Sequence, residues 1–318
     1  MRSLKKLLVT AAMIVPMLAQ AQANLVKVVV PYAPGGNIDS LARLYAKEIS
    51  KILGESWIIE NIGGANGVIG TKHVAVAKPD GKTLLFSADV HSMAPLVIKN
   101  VPYDPIKDFT PIARVATAPL VFVVNPEQVK ANNLTELVKA IKANPNDYSF
   151  ASSGLGSSPQ MGAEIFQVKT GTKVLEVPYK GTGPAITDLV GGHVAMMFVT
   201  PVAAMPLVRS GRLKALAITS AKRFETASEV PTTAEAGLPD FVVVNSYGFW
   251  GPKGLPKDVL DRLSKAMRQA SQVPELKKMM LDLGASATWE SPDDFSKHIQ
   301  AEFLNNQAIL KHAGVKPE

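Results

Sequence analysis

From residue 25 onward the chain alternates two hydrophobic patterns. "LVKVVVPY" is a short, nearly continuous apolar run ending in Pro-Tyr, which predicts a buried strand running into a turn. After the Gly35-Gly36 pair, apolar Ile38, Leu41, Ala42, Tyr45, Ile49 and Leu53 recur near the helical period. Gly54 closes that pattern. "SWIIEN" predicts a second strand, "GGANGVIGTKHVAVA" a Gly-rich loop feeding a helix, and "KPDGKTLLFSA" a turn and a third strand. Strands alternating with helices predict α/β units on a largely parallel sheet.

"APLVFVVNP" reads as a further strand stopped at Pro126, and "NLTELVKAIKANP" as a short helix carrying Leu134, Leu137, Val138 and Ile141. A second α/β series follows in "YSFASSGLGSSPQMGAEIFQ", "KVLEVPYKGTGPAITDLVGG", "HVAMMFVTPVAAMPLVRSG" and "LKALAITS". "FVVVNSYGFWGP" resembles the earlier crossing strand, and the tail from Lys257 reads as helical. "VVVPYAPGGNIDSLAR" and "LEVPYKGTGPAITDLV" share strand, Val-Pro-Tyr, Gly turn and helix, yet lie too far apart for a solenoid repeat. Two similarly built lobes account for the echo. If the chain crosses near residues 121–126 and returns near 242–246, residues 24–124 and 248–318 form a discontinuous first lobe. Residues 125–247 then form the second.

The first residues bear on address rather than fold. Arg2, Lys5 and Lys6 precede an apolar run over residues 7–19, and Ala19-Gln20-Ala21 and Ala21-Gln22-Ala23 are overlapping A-x-A sites. This is the pattern of a secretory signal peptide cleaved after Ala23 or Ala21, which places the protein in the periplasm. The run is too short to span a bilayer, which takes about 20 residues. Losing three basic residues with the leader takes the formal charge from +7 to +4, which suits an anionic ligand without requiring one. The chain has no cysteine, which excludes disulfides, thiolate metal sites, Cys nucleophiles and a lipoprotein anchor. No basic cluster with interleaved aromatics occurs, so nucleic acid is not an expected partner.

The candidate chemistry lies in the loops. A helix N-terminus leaves backbone N–H groups unpaired and carries partial positive charge, so it attracts anions. Tyr32, Ala33, Pro34, Gly35 and Gly36 form such a loop before the first helix, and the two glycines permit unusual angles and close approach. Asp39 in the first turn suits fixing the loop better than touching an anion. A second loop carries Ser153, Gly154 and Ser157, and a third carries Tyr179, Lys180, Gly181 and Thr182. Ligands in open α/β sheets bind outside the C-terminal ends of strands, so these loops facing each other would frame a cleft. Ser87 and His91 near the third strand, Thr200 after "AMMFV", and Ser246 and Tyr247 on the return strand complete the candidate ligand-binding set.

Enzyme chemistry finds little here. There is no P-loop; "SGLGSSP" and "KGTGPAI" lack the third Gly of a dinucleotide fingerprint; "SSGLGSS" puts its serines outside the Gly pair of a hydrolase elbow. None of the five histidines has H-E-x-x-H spacing, and His298 and His312 read as surface residues of the helical tail. No cofactor or metal is expected. A periplasmic hydrolase acting on a small anion is the alternative to a binding protein.

"VPYAPGGNIDSLAR", "ENIGGANGVIG", "VAKPDGKTLL", "PYDPIKDFTPI", "SSGLGSSPQMGAE", "VPYKGTGPAITDLVGG", "LKALAIT" and "VPTTAEAGLPDF" resemble, in this order, the Bug family. These are TctC-like periplasmic solute receptors of tripartite tricarboxylate transporters. The resemblance implies a two-lobed, type II-like periplasmic-binding-protein fold, with α/β lobes joined by crossing strands and closing on ligand. It implies a monomer that binds a small carboxylate (a di- or tricarboxylate, an acidic amino acid or an aromatic acid) and an inner-membrane permease as partner. It also implies that backbone amides of the first Gly loop hold the carboxylate without an obligatory Arg. Gln160-Met161 stand where the family often has His-Leu, and Ser246-Tyr247 where it commonly has a Trp.

Overall fold

The computed structural model describes residues 25–317 except Leu155; the proposed leader lies outside them. Eleven strands are arranged in two sheets among the described residues. In the first sheet β1 (Leu25–Val30) pairs in parallel with β2 (Ser56–Asn61) and β3 (Thr83–Ala88). β10 (Val244–Pro252) runs antiparallel between β3 and β4 (Phe109–Pro119), and β11 (Ser286–Glu290) closes the edge beyond β4. In the second sheet β6 (Ser149–Ser152) lies in parallel between β7 (Leu175–Pro178) and β8 (Met196–Val199). β5 (Val121–Val124) is antiparallel to both β8 and β9 (Lys214–Ile218).

The apolar runs are explained by what covers them. All four residues of β5 are buried; Phe122 and Val124 enter one core and Val121 and Val123 another. A strand covered on both faces needs no polar alternation. Phe122, Phe150, Phe166, Phe198 and Phe241 pack together on one face, with Phe122 and Phe198 centroids 4.4 Å apart. In the first unit Tyr45, from α1 (Asn37–Leu53), sits edge-on to Phe249 and donates its hydroxyl proton to the Val115 carbonyl at 2.5 Å. The remaining helices are α2 (Val68–Ala75), α3 (Val90–Val97), α4 (Leu134–Ala143), α5 (Ser158–Thr170), α6 (Thr182–Val190), α7 (Pro201–Arg209), α8 (Lys257–Ala270), α9 (Pro274–Asp282) and α10 (Pro292–Ala313).

Three expectations change. The sheets switch between Pro119 and Val121, so residues 121–124, expected in the first lobe, hydrogen-bond within the second sheet. The return strand enters the first sheet already at Val244. The tail is not wholly helical, because β11 interrupts it; all five of its residues are half-buried, as befits an edge strand with a weak apolar signal.

Thr219 ties the two crossings together. Its hydroxyl accepts the Leu120 N–H at 2.8 Å and donates to the Val243 carbonyl at 2.5 Å, and its own N–H donates to the Leu120 carbonyl. The units also touch on both flanks of the crossings. Met93 and Val97 of α3 and Ile309 and Leu310 of α10 pack on Met161 of α5. On the other flank Val202 of α7 rests against Gly284.

Candidate ligand-binding site

A cavity of about 500 Å³ lies between the two sheets at the crossings. It is built where parallel strands end and helices begin. β1 delivers Tyr32 and, at the start of α1, Ile38; β6 delivers Ser153, Gly154, Ser157 and Ser158 at the start of α5. Thr182 opens α6, and Thr200 is the N-cap of α7. Four helix N-termini, three from the second unit, therefore border one space, and a helix N-terminus carries unpaired N–H groups and partial positive charge. The remaining wall is apolar, from Ala88, Ile98, Leu120, Pro159 and Val199, with Asn66, Asn245 and Tyr247 among them.

None of the described lining residues is charged. To an anion such a space offers hydroxyls, amides and backbone dipoles. The Tyr32 hydroxyl is buried with Ser87 beside it, and burial raises its pKa, so it stays a neutral phenol able to donate.

Each loop is held by its own scaffold. Gly35 has φ +85°, which favours glycine, while Gly36 at φ −75° sits in ordinary extended backbone. The Gly35 N–H donates to Asp39 Oδ2 at 2.9 Å, and Asp39 also accepts from Arg43 at 3.0 Å and Asn61 at 2.9 Å. Burial pushes the Asp39 carboxyl up, but these hydrogen bonds outweigh it and hold the pKa below the usual range. In the second loop Gln160 Oε1 accepts the Gly156 N–H at 2.7 Å, and Gln160 Nε2 donates to Glu176 at 3.2 Å. Gln160 thus fixes the turn that presents Ser153 and Ser157.

The family model described as the tripartite tricarboxylate transporter family receptor matches residues 41–315. The chain belongs to this receptor family. It is 35% identical to the solved periplasmic binding protein BugD, which aligns over 92% of this chain and 98% of that one with a TM-score of 0.74. A Rhodopseudomonas palustris protein solved with adipate is 31% identical, with the same coverage and a TM-score of 0.78. A second protein from that organism, MatC with bound malate, is 32% identical over 90% of this chain and 98% of its own, with a TM-score of 0.73. The receptor accordingly has the two-lobed periplasmic-binding-protein fold. No helix among its described residues is long and apolar enough to cross a membrane.

Of the residues nominated from the receptor's sequence, Tyr32, Ser153, Gly154, Ser157, Thr182, Thr200 and Tyr247 line the cavity. The others stand elsewhere. Ala33, Pro34, Gly35 and Gly36 are exposed outside the lining, and Asp39 is occupied as scaffold. Tyr179 donates its hydroxyl proton to Asp188 at 2.8 Å, Lys180 is exposed, and Gly181, at φ +107°, serves the turn into α6. Ser87 is fully buried behind Tyr32.

His91 does not face the cleft. Its ring packs 4.3 Å from the Trp250 ring, its Nδ1 lies 3.2 Å from the Ala88 carbonyl, and burial pushes its pKa down to about 4. Ser246 points away as well: on β10 successive side chains alternate faces, so Asn245 and Tyr247 meet the cavity while Ser246 meets Arg114 behind it. Period-two reasoning would have replaced Ser246 by Asn245. Asn66, in the Gly-rich stretch "GGANG", has φ +53° and also lines the cavity; an Asn among glycines is the only local signal of it. Ile38, Ile98, Leu120 and Val199 carry no local signal of a site. His298, expected at the surface, is half-buried 3.8 Å from Glu302.

Proposed function

We propose that this receptor captures a small organic carboxylate between its lobes and hands it, unaltered, to the inner-membrane permease of a tripartite tricarboxylate transporter. The observation that carries this reading is the uncharged cavity bordered by four helix N-termini and the hydroxyls of Ser153, Ser157, Thr182 and Thr200. Such a site offers a carboxylate several charge-assisted hydrogen bonds from neutral donors. Relatives solved with adipate and malate support the ligand class. Di- and tricarboxylates, acidic amino acids and aromatic acids are the candidate ligands. In this reading the protein works as a periplasmic monomer after losing its leader. The lobes divide near residues 120 and 243, and the Gly35-Gly36 loop forms the rim that closes over the ligand.

The test is a thermal-shift panel of organic acids, amino acids and sugars, followed by product analysis. One or more carboxylates should raise the melting temperature by mass action, about 2.7 kcal/mol of stabilisation at a hundredfold excess over Kd. The bound acid should be recovered chemically unchanged. Turnover at enzyme-like rates would replace the receptor with the hydrolase; stabilisation by sugars alone would overturn the carboxylate class.

A further inference from the structure

Behind the crossings lies a second cavity of about 410 Å³, separated from the first by Asn245 and Ser158, which line both. Asp89, His298 and Glu302 form its wall on the first lobe, Met161 and Ile165 of α5 its wall on the second, and the return segment at Val242 and Val243 its base. Any rotation of one lobe against the other must therefore change this space and its access to water.

Asp89 connects the cavity to the hinge. Its N–H donates to the Ser246 carbonyl at 2.9 Å, and its Oδ2 accepts the Ser246 N–H at 3.0 Å. One carboxylate thus holds the return strand where it leaves the crossing. Around it stand Glu302 and His298 of α10, Arg114 of β4, Glu290 of β11 and the phenols of Tyr32 and Tyr247, whose pKa values burial raises; α5 brings no titratable group to the cavity. Arg114 is paired with Glu290. The Glu302 carboxyl is within hydrogen-bonding reach of Asp89.

Three carboxyls face one guanidinium in a space only partly open to water, so full ionisation is costly. Burial first, and then the Asp89 charge, raise the Glu302 pKa well above the usual carboxylate range. The His298 imidazole is pushed down, by burial first and then by Arg114, and does not supply the missing positive charge.

We propose that a proton shared between Glu302 and Asp89 is a pH-sensitive latch on the hinge. Protonated Glu302 donates to Asp89, and Asp89 holds Ser246. When Glu302 ionises, two carboxylates repel each other and Asp89 loosens its hold on Ser246, on the return strand just beyond the crossing. The latch rests on the hinge and not on which ligand the receptor carries.

The sign follows from linkage. Glu302 in the latched form holds its proton more tightly than in an opened form, where water restores the usual carboxylate range. Latching is therefore favoured at low pH and weakens as pH rises above that range, by up to about tenfold per pH unit for one proton. It levels off once Glu302 ionises in the latched form.

Amide hydrogen exchange at Ser246, measured on the whole protein without ligand from pH 5 to 9 and corrected for intrinsic rates, tests this. Protection of Ser246 should fall with rising pH by up to about tenfold per unit and then level off. In Glu302→Gln, whose amide donates to Asp89 at every pH, protection should be independent of pH. His298→Gln should keep the wild-type slope. Flat protection in the wild type, or an unchanged slope in Glu302→Gln, would overturn the latch; loss of the slope in His298→Gln would overturn its assignment to Glu302.

Discussion

His91 is a base kept from water. It packs edge-on to Trp250 and Phe109, and burial sets its pKa at about 4 against about 6.5 for a free imidazole. The folded protein thus binds fewer protons than the unfolded chain between those values. Its contribution to stability is complete above about pH 6.5 and is lost as pH falls through about 4. The interval corresponds to about 3 kcal/mol. Denaturant midpoints at pH 7 and pH 4 should therefore differ less for His91→Phe than for the wild type. An identical acid limb in the two proteins would show that His91 protonates without disturbing the fold. The same residue illustrates a limit on reading sites: a histidine just after a strand looks like a cleft residue until the aromatic groups around it are known.

At the scale of elements, the hinge is a three-way junction. The Leu120 crossing, the end of β9 and the return segment at Val243 come from distant parts of the chain, and the buried Thr219 hydroxyl joins them. Thr219→Val keeps the shape but leaves the Leu120 N–H without its side-chain acceptor. An unsatisfied buried donor costs about 1–3 kcal/mol. Equilibrium unfolding should register that loss, and Thr219→Ser should recover most of it. If Val and Thr are equally stable here, the junction is held by backbone pairing alone. Nothing in "LAITSAKR" marks this threonine, because its partners lie 99 and 24 residues away.

For the whole molecule, the proposed function requires two lobes that approach without fusing. Their flanking contacts are of different kinds: an apolar cluster around Met161 on one side and, on the other, Val202 against the bare backbone of Gly284. Val202 is half exposed, so a larger side chain there need not disturb a core. Val202→Trp should act as a wedge. Small-angle scattering with saturating ligand should show a larger radius of gyration than the wild type, and affinity should fall in proportion to the lost closed population. The melting temperature without ligand should stay near the wild-type value. A variant with wild-type radius and affinity would show that the Gly284 contact does not limit closure.

The sequence by itself determined much of the local architecture. Apolar runs marked β1, β3, β5 and β8, the 3.6-residue period marked α1, and Gly- or Ser-rich turns marked the places where strands deliver helices. Those signals operate within a few residues, and the ends of parallel strands are the ordinary place for a ligand, so the candidate site was legible as a set of loops. Tertiary structure decided which face of each loop reaches the cavity. Pairing of β10 with β3 and β4 turned Asn245 and Tyr247 inward and Ser246 outward, and packing of the completed units brought Leu120 and Ile98 into the lining. It also set the sheet switch before Val121 and left Glu302 opposite Asp89. Contacts between residues more than a hundred positions apart depend on how completed elements pack, and no local period or turn rule encodes that.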